Sequence, residues 1–227
     1  MIKAIIFDLD DTLYPEEEFV MSGFNSVAKY LAKKYNLSSL KIFNILKSDF
    51  KSGIRGRNFT LLLKKLNLPI TELKKAIIIY RNHQPKIRLY PDVQKILEYL
   101  SKNKKIKLGM ISDGIVKTQK NKISALKIRK YFKVILLSDR LGVNCRKPDT
   151  KPFSVVLNKL GVKPEEAIYI ADNPQKDFIG AKKLGIFTVR IKRKDGLYNQ
   201  VKINNQNKAD FTIFNLKDVK NLCQIKK

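Results

Sequence analysis

The sequence predicts an α/β fold, a doubly wound and mostly parallel sheet with a bundle of helices inserted after its first strand. Three observations carry this. The chain opens on the short apolar run Ala4-Ile5-Ile6-Phe7, which suits a strand buried on both faces at the centre of a parallel sheet. After Pro15 the apolar spacing turns helical and stays so for about seventy residues with no strand between. From Leu89 onward strand-sized and helix-sized segments alternate, as in successive βα units. Residues 1–14 and 89–227 therefore form the expected α/β core, and residues 15–88 a separate helical subdomain.

Within the insertion, Phe19, Phe24, Val27, Ala28 and Leu31 recur near i, i+4 and i+7, predicting an amphipathic helix over 16–35. Ser38-Ser39 caps a second helix whose buried face is Leu40, Ile42, Phe43, Ile45 and Leu46. The stretch Gly53-Ile54-Arg55-Gly56-Arg57 interrupts, and a third helix covers 58–66. Pro69 ends that helix, and Thr71-Glu72 starts a fourth that runs to about Tyr80. In the core, helices are expected over 92–100, 117–126, 152–160, 177–184 and 216–222, and strands over 107–111, 134–137, 167–171, 187–191 and 210–214. Between the last two strands, Lys192 to Lys208 is polar and rich in Asn, which reads as an exposed loop.

Composition narrows the function. The formal charge of +27 and pI near 10.0 would attract polyanions. Yet the excess is 38 Lys against 9 Arg, spread along the whole chain rather than gathered in an arm or stripe. That pattern fits a compositional bias or a lysine-rich surface better than a recognition surface, so no specific nucleic-acid partner is expected. No run of about 18 apolar residues is present to span a membrane, and Met1-Ile2-Lys3 enters a strand without a signal-like leader, so a cytoplasmic location is expected. Cys145 and Cys223 are too few for a disulfide framework, and Cys145 reads as an inert thiol. His83 is the only histidine, which removes His triads and multi-histidine metal sites and leaves chemistry to carboxylates, hydroxyls and lysine. His83 itself reads as structural, where the insertion returns to the core. Neither GxxxxGK[ST] nor GxGxxG occurs, which argues against a kinase.

The first strand breaks into Asp8-Leu9-Asp10-Asp11-Thr12. By period-2 alternation Asp8 and Asp10 point the same way, while Leu9 points back to the core. Three carboxylates so close, at the end of a buried strand, need a cation or a proton to offset repulsion and desolvation. In an open α/β sheet the strand ends share one edge, so Ser112 (in ISDG) and Asp172 (in ADNPQ) would face the same crevice.

With DLDDT, Ser112 after a strand, Lys147 in RKPD, and Asp172 with Asp177 in ADNPQKDFIGAKKLG, the chain resembles the haloacid dehalogenase-like (HAD) hydrolases over nearly its whole length. One departure is Ala171, where the family usually has Gly before the first acid. The resemblance implies a Rossmann-like core with a helical cap, and a Mg²⁺-dependent phosphatase acting on a small phosphorylated metabolite, most simply a sugar or triose phosphate. It implies Asp8 as nucleophile forming an aspartyl-phosphate, Asp10 as general acid and base, and Ser112 and Lys147 as phosphate contacts. It also implies a metal held by Asp8, the backbone carbonyl of Asp10 and Asp172, with Asp177 supporting Lys147 and Thr12 shaping the turn. A phosphomutase, or a phosphonate or haloacid hydrolase, would keep the same core, although a halide leaving group needs no acid such as Asp10. A non-catalytic RNA-binding protein would be expected to show a damaged motif, and none is damaged. For the substrate's far end the candidates are Asn173 and two of the scarce arginines, Arg55 and Arg57, whose planar forks suit carboxylate or phosphate.

Overall fold

The computed structural model describes residues 1–225, with side chains as far as Leu222, so the side chain of Cys223 lies outside the described residues. The strands are β1 (Ala4–Phe7), β2 (Lys107–Ser112), β3 (Val134–Leu137), β4 (Ala167–Ala171), β5 (Phe187–Ile191) and β6 (Phe211–Ile213). They lie in the order β3-β2-β1-β4-β5-β6, and every pairing is parallel. This is the doubly wound Rossmann-type order, which reverses direction beside β1 and leaves a crevice between the C-terminal ends of β1 and β4.

Alternation explains why β1 is apolar throughout. Ile5 and Phe7 enter one core, and Ala4 and Ile6 enter the other. The first face is covered by α5 (Val93–Lys102), α6 (Val116–Leu126) and α9 (Val219–Ile225), and the second by α7 (Lys151–Leu160) and α8 (Phe178–Lys183). A third cluster belongs to the insertion, where Phe24, Val27, Leu31, Ile42, Leu46, Leu62 and Ala76 meet. They lie on α1 (Glu16–Tyr35), α2 (Ser39–Lys51), α3 (Asn58–Lys65) and α4 (Glu72–Asn82). The Ser38 hydroxyl accepts the Lys41 amide at 3.3 Å, the N-cap expected from the sequence. Glu72 ties α4 to α1 by accepting from Lys34 at 2.5 Å and Tyr30 at 2.7 Å.

Two connections join insertion and core side by side. The Glu18 carboxylate accepts the Arg88 amide at 2.6 Å, and the Ser22 hydroxyl accepts the Lys86 amide at 2.9 Å. His83 sits at this return, its ring 4.7 Å from that of Phe19 and its Nδ1 2.6 Å from the Tyr80 carbonyl.

One expectation is corrected here. The segment after β5 is not a plain exposed loop, because Arg193 is buried and grips both oxygens of Asp92 at 2.9 and 3.0 Å. Arg193 also donates to the Thr12 carbonyl at 2.8 Å, so the segment is anchored against the first turn of the site. Asp92 consequently precedes α5 instead of standing within it, and also accepts the Leu216 amide at 2.7 Å. Polar composition hid this, since an ion pair between residues about a hundred positions apart leaves no local signal. No helix of the described residues is long and apolar enough to cross a membrane.

Candidate active site

Asp8 continues the ladder one residue past β1, its amide donating to the Ile170 carbonyl at 2.9 Å. Its carboxylate lies 2.5 Å from the ammonium of Lys147, which is also 2.7 Å from Asp177 and 3.0 Å from the Tyr169 hydroxyl. Burial works against the charge on Lys147, but the carboxylates of Asp177 and Asp8 outweigh it and hold its pKa well above the usual value. Burial pushes Asp8 up to about 6; Lys147 pulls it down, and Asp177 adds to the rise. The loop carrying Lys147 is seated by Gly180 of α8, where a Cβ would stand 2.4 Å from the Pro148 carbonyl oxygen and 2.8 Å from that of Asp149. Only glycine lets the two backbones come this close.

Asp8, Asp172 and Asp177 each offer one oxygen, and these oxygens lie within 4.8 Å of one another, all on buried residues. Burial, then Asp177 and Asp8, raise the Asp172 pKa well above the ordinary carboxylate range. Asp172 Oδ2 is buried without a hydrogen-bond partner. An all-oxygen set with an orphaned carboxylate oxygen fits a hard divalent cation, which would supply the missing positive charge. Ser112, at the end of β2, also has a buried hydroxyl without a partner, facing the demand that a phosphoryl oxygen would meet.

Asp10 is differently placed. Its carboxylate accepts from Lys122 at 2.6 Å and Gln119 at 3.3 Å, and makes a short bond with the Tyr14 hydroxyl. Burial opposes its ionisation, yet the charge and hydrogen bond of Lys122, helped by Tyr14, lower its pKa. Its side chain is therefore outside the three-carboxylate group, leaving only its backbone carbonyl for a cation. Asp11 takes a left-handed φ of 50° and accepts the Glu16 amide at 2.7 Å and the Leu197 amide at 3.2 Å, fixing the start of α1 and the post-β5 segment together. Thr12 is fully buried, with its hydroxyl unpartnered.

A cavity of 690 Å³ opens between the helical insertion and the core, lined among others by Glu16, Phe24, Arg55, Tyr80, Arg81 and Tyr198. Gln175, just beyond Asp172, completes its core side. Arg55 lies over the Phe50 ring at 3.6 Å and donates to the Phe50 carbonyl at 2.5 Å. Arg57 is exposed at the start of α3 and is not among the lining residues. Asn173 is buried, its side-chain Oδ1 accepting the Gln175 amide at 3.0 Å within the turn, and its backbone amide donating to Asp177 at 2.9 Å. Sequence reasoning missed Tyr14, Gln119, Lys122 and Tyr198. Lys122 falls on the buried face of α6 between Gln119 and Ile123, and only its burial in the structure sets it apart from the other lysines.

A Rossmann-type core carrying a nucleophile-capable aspartate, a buried lysine and a carboxylate cluster at its switch point defines a class of hydrolase. The chain belongs to the haloacid dehalogenase-like hydrolases: the family model of that description matches residues 5–191. It is 32% identical to a glyceraldehyde 3-phosphate phosphatase of Methanopyrus kandleri over 94% of this chain and 93% of the relative. A glyceraldehyde 3-phosphate phosphatase of Methanocaldococcus jannaschii is 34% identical, over 98% and 99%. Among solved structures, a HAD phosphatase from Thermococcus onnurineus superposes with a TM-score of 0.64 at 28% identity, covering 98% of each chain. A 2-haloacid dehalogenase from Pseudomonas syringae reaches 0.68 at 22% identity over both whole chains, which shows the shared fold alone.

Proposed function

We propose that the chain is a Mg²⁺-dependent phosphatase that hydrolyses a triose-phosphate-sized monoester through an aspartyl-phosphate on Asp8. The observation that carries the reading is the pairing of Asp8 with a buried Lys147 beside the unpartnered oxygens of Asp172 and Ser112. Asp8 Oδ attacks phosphorus, the ester P–O bond breaks, and the leaving alkoxide takes a proton from the Asp10 carboxyl. Water then attacks the phosphorus, gives its proton to Asp10, and the acyl-phosphate P–O bond breaks to regenerate Asp8 and release phosphate. Lys122 favours the ionised Asp10 needed in the second half; a bound phosphate dianion, by its own negative charge, favours the protonated form needed in the first. Ser112 and Lys147 hold phosphoryl oxygens, and Asp177 holds Lys147. Mg²⁺, bound by Asp8, Asp172 and the Asp10 carbonyl, would neutralise phosphoryl charge.

The substrate size follows from the relatives, two of which bear the name glyceraldehyde 3-phosphate phosphatase over almost their full lengths. In this reading residues 15–88 are a cap over the cleft, and Arg55 faces the substrate's non-reacting end. A phosphate-release screen over triose phosphates, sugar phosphates, nucleotides and phosphoserine, with Mg²⁺ and with EDTA, tests it. Glyceraldehyde 3-phosphate is expected to be hydrolysed with free phosphate as product, and EDTA to abolish release. Phosphate moved between hydroxyls of one sugar instead of being freed would make the enzyme a mutase.

A further inference from the structure

Lys122 belongs to none of the motifs, yet it is almost fully buried and spends its charge on Asp10. An isolated ammonium is costly to bury, so a lysine kept there is matched to a particular partner. Its Nζ stands 2.6 Å from Asp10 Oδ1 and 4.3 Å from the centroid of the Phe19 ring on α1. Gln119, one turn earlier on α6, reaches Asp10 Oδ2 at 3.3 Å and the Asp113 carbonyl at 2.5 Å. Tyr14 takes the remaining position on Oδ1. With both oxygens engaged, the carboxylate has one orientation.

Strand alternation alone would send Asp10 to the same side as Asp8, where a fourth carboxylate could fall in with the cluster of Asp8, Asp172 and Asp177. Lys122 supplies a competing positive charge that holds it apart. The helix bearing Lys122 is itself pinned to the end of the insertion. The Thr118 hydroxyl donates to the Arg81 carbonyl at 2.9 Å, and the Asn121 amide donates to the carbonyls of Asn82 and His83, each at 3.1 Å. Thus α6 is tied by side-chain hydrogen bonds to the end of α4.

We propose that Lys122, assisted by Gln119, is a positioning residue that aims the Asp10 carboxyl at the leaving-group oxygen. The proposal rests on the phosphatase reading above and adds a residue to it. An acid that must meet a departing alkoxide depends on geometry, whereas p-nitrophenolate departs with little need of a proton. Loss of aim therefore shows as a change in leaving-group preference, which a general loosening of the fold does not produce.

The test is Lys122→Met, compared with Asp10→Asn and the unaltered protein, by rapid-quench single turnover with glyceraldehyde 3-phosphate and with p-nitrophenyl phosphate. The ratio of the two first-step rates within one preparation is independent of the fraction folded. The expected result is that Lys122→Met slows the step with glyceraldehyde 3-phosphate at least about tenfold more than with p-nitrophenyl phosphate, in the direction shown by Asp10→Asn. An equal effect on both substrates, or a gain on glyceraldehyde 3-phosphate, while Asp10→Asn stays selective, overturns the role of Lys122 and leaves Asp10 as the acid. If Asp10→Asn is itself unselective, the acid assignment fails, and the positioning role falls with it.

Discussion

Arg55 and Arg57, two positions apart in the same loop, separate once the chain is folded. Arg55 lines the cavity with its guanidinium braced on Phe50, and Arg57 stays in water. A contact remote from the reacting phosphate aids recognition of the whole substrate and leaves a minimal one untouched. Arg55→Ala is accordingly expected to lower kcat/KM for glyceraldehyde 3-phosphate about tenfold, with little change for p-nitrophenyl phosphate and none for either substrate in Arg57→Ala. Equal losses in the two variants would remove Arg55 from the substrate's path. The same contrast shows what single residues reveal in sequence. Asp8, Ser112 and Asp172 could be proposed from the sequence because each ends or follows a strand, and strand ends share one edge, whereas Lys147, in the loop before α7, was proposed only from the resemblance. Lys122 was legible in neither way, since one lysine among 38 carries no mark until burial singles it out. Asn173 looked like a substrate ligand from its place beside Asp172, but it spends its side chain on the local turn, as Asn commonly does.

At the scale of elements, apolar periodicity gave the helices and strands nearly to the residue, while the polar joints between them were hidden. β6 is only three residues long, and Asp210 before it is tied to Thr188 through side chains: its carboxylate accepts the Thr188 amide at 2.8 Å and hydroxyl at 2.7 Å, and its own backbone amide donates to that hydroxyl at 3.0 Å. The joint between Arg193 and Asp92 fastens the post-β5 segment to the start of α5 and to Thr12. Removing one partner leaves the other charge buried, so Arg193→Met should lower unfolding free energy by about 3–5 kcal/mol in urea titration. A change below about 1 kcal/mol would mean that the pair is no more than a surface contact. The clamp of Glu72 between Lys34 and Tyr30 carries a pH signature. The hydrogen bonds from Lys34 and then Tyr30 lower its pKa below the ordinary 4.5, so its contribution is complete above the unfolded value and disappears as pH falls through the folded one. Glu72→Gln should therefore be less stable than the unaltered chain near neutrality, and the two stability curves should converge once the pH has fallen through the lowered folded-state pKa of Glu72. A gap that is constant with pH would show that the charge plays no part.

For the whole molecule, the surface charge and the site are separate matters. A net charge of +27 spread over both core and insertion would attract polyanions without choosing among them. Any RNA binding should weaken steeply between low and physiological salt and show no sequence preference, measured by filter binding across a salt series. Selective binding that survives physiological salt would require a second function. The fold places the site where a doubly wound sheet reverses, so the distribution of side chains around Asp8 is the part on which the proposed chemistry depends. Trapping the phosphoryl group tests that chemistry most directly. Asp10→Asn, slow in the hydrolytic half, is mixed with Mg²⁺ and p-nitrophenyl phosphate, whose leaving group needs little protonation, then quenched in acid, digested and analysed by mass spectrometry. The predicted result is one phosphoryl group on the peptide containing Asp8, absent when Asp8 is also changed to Asn, with Asp8→Asn alone retaining less than about one part in a thousand of turnover. Phosphate release that persists in Asp8→Asn, or a phosphoryl group found on another residue, would contradict it.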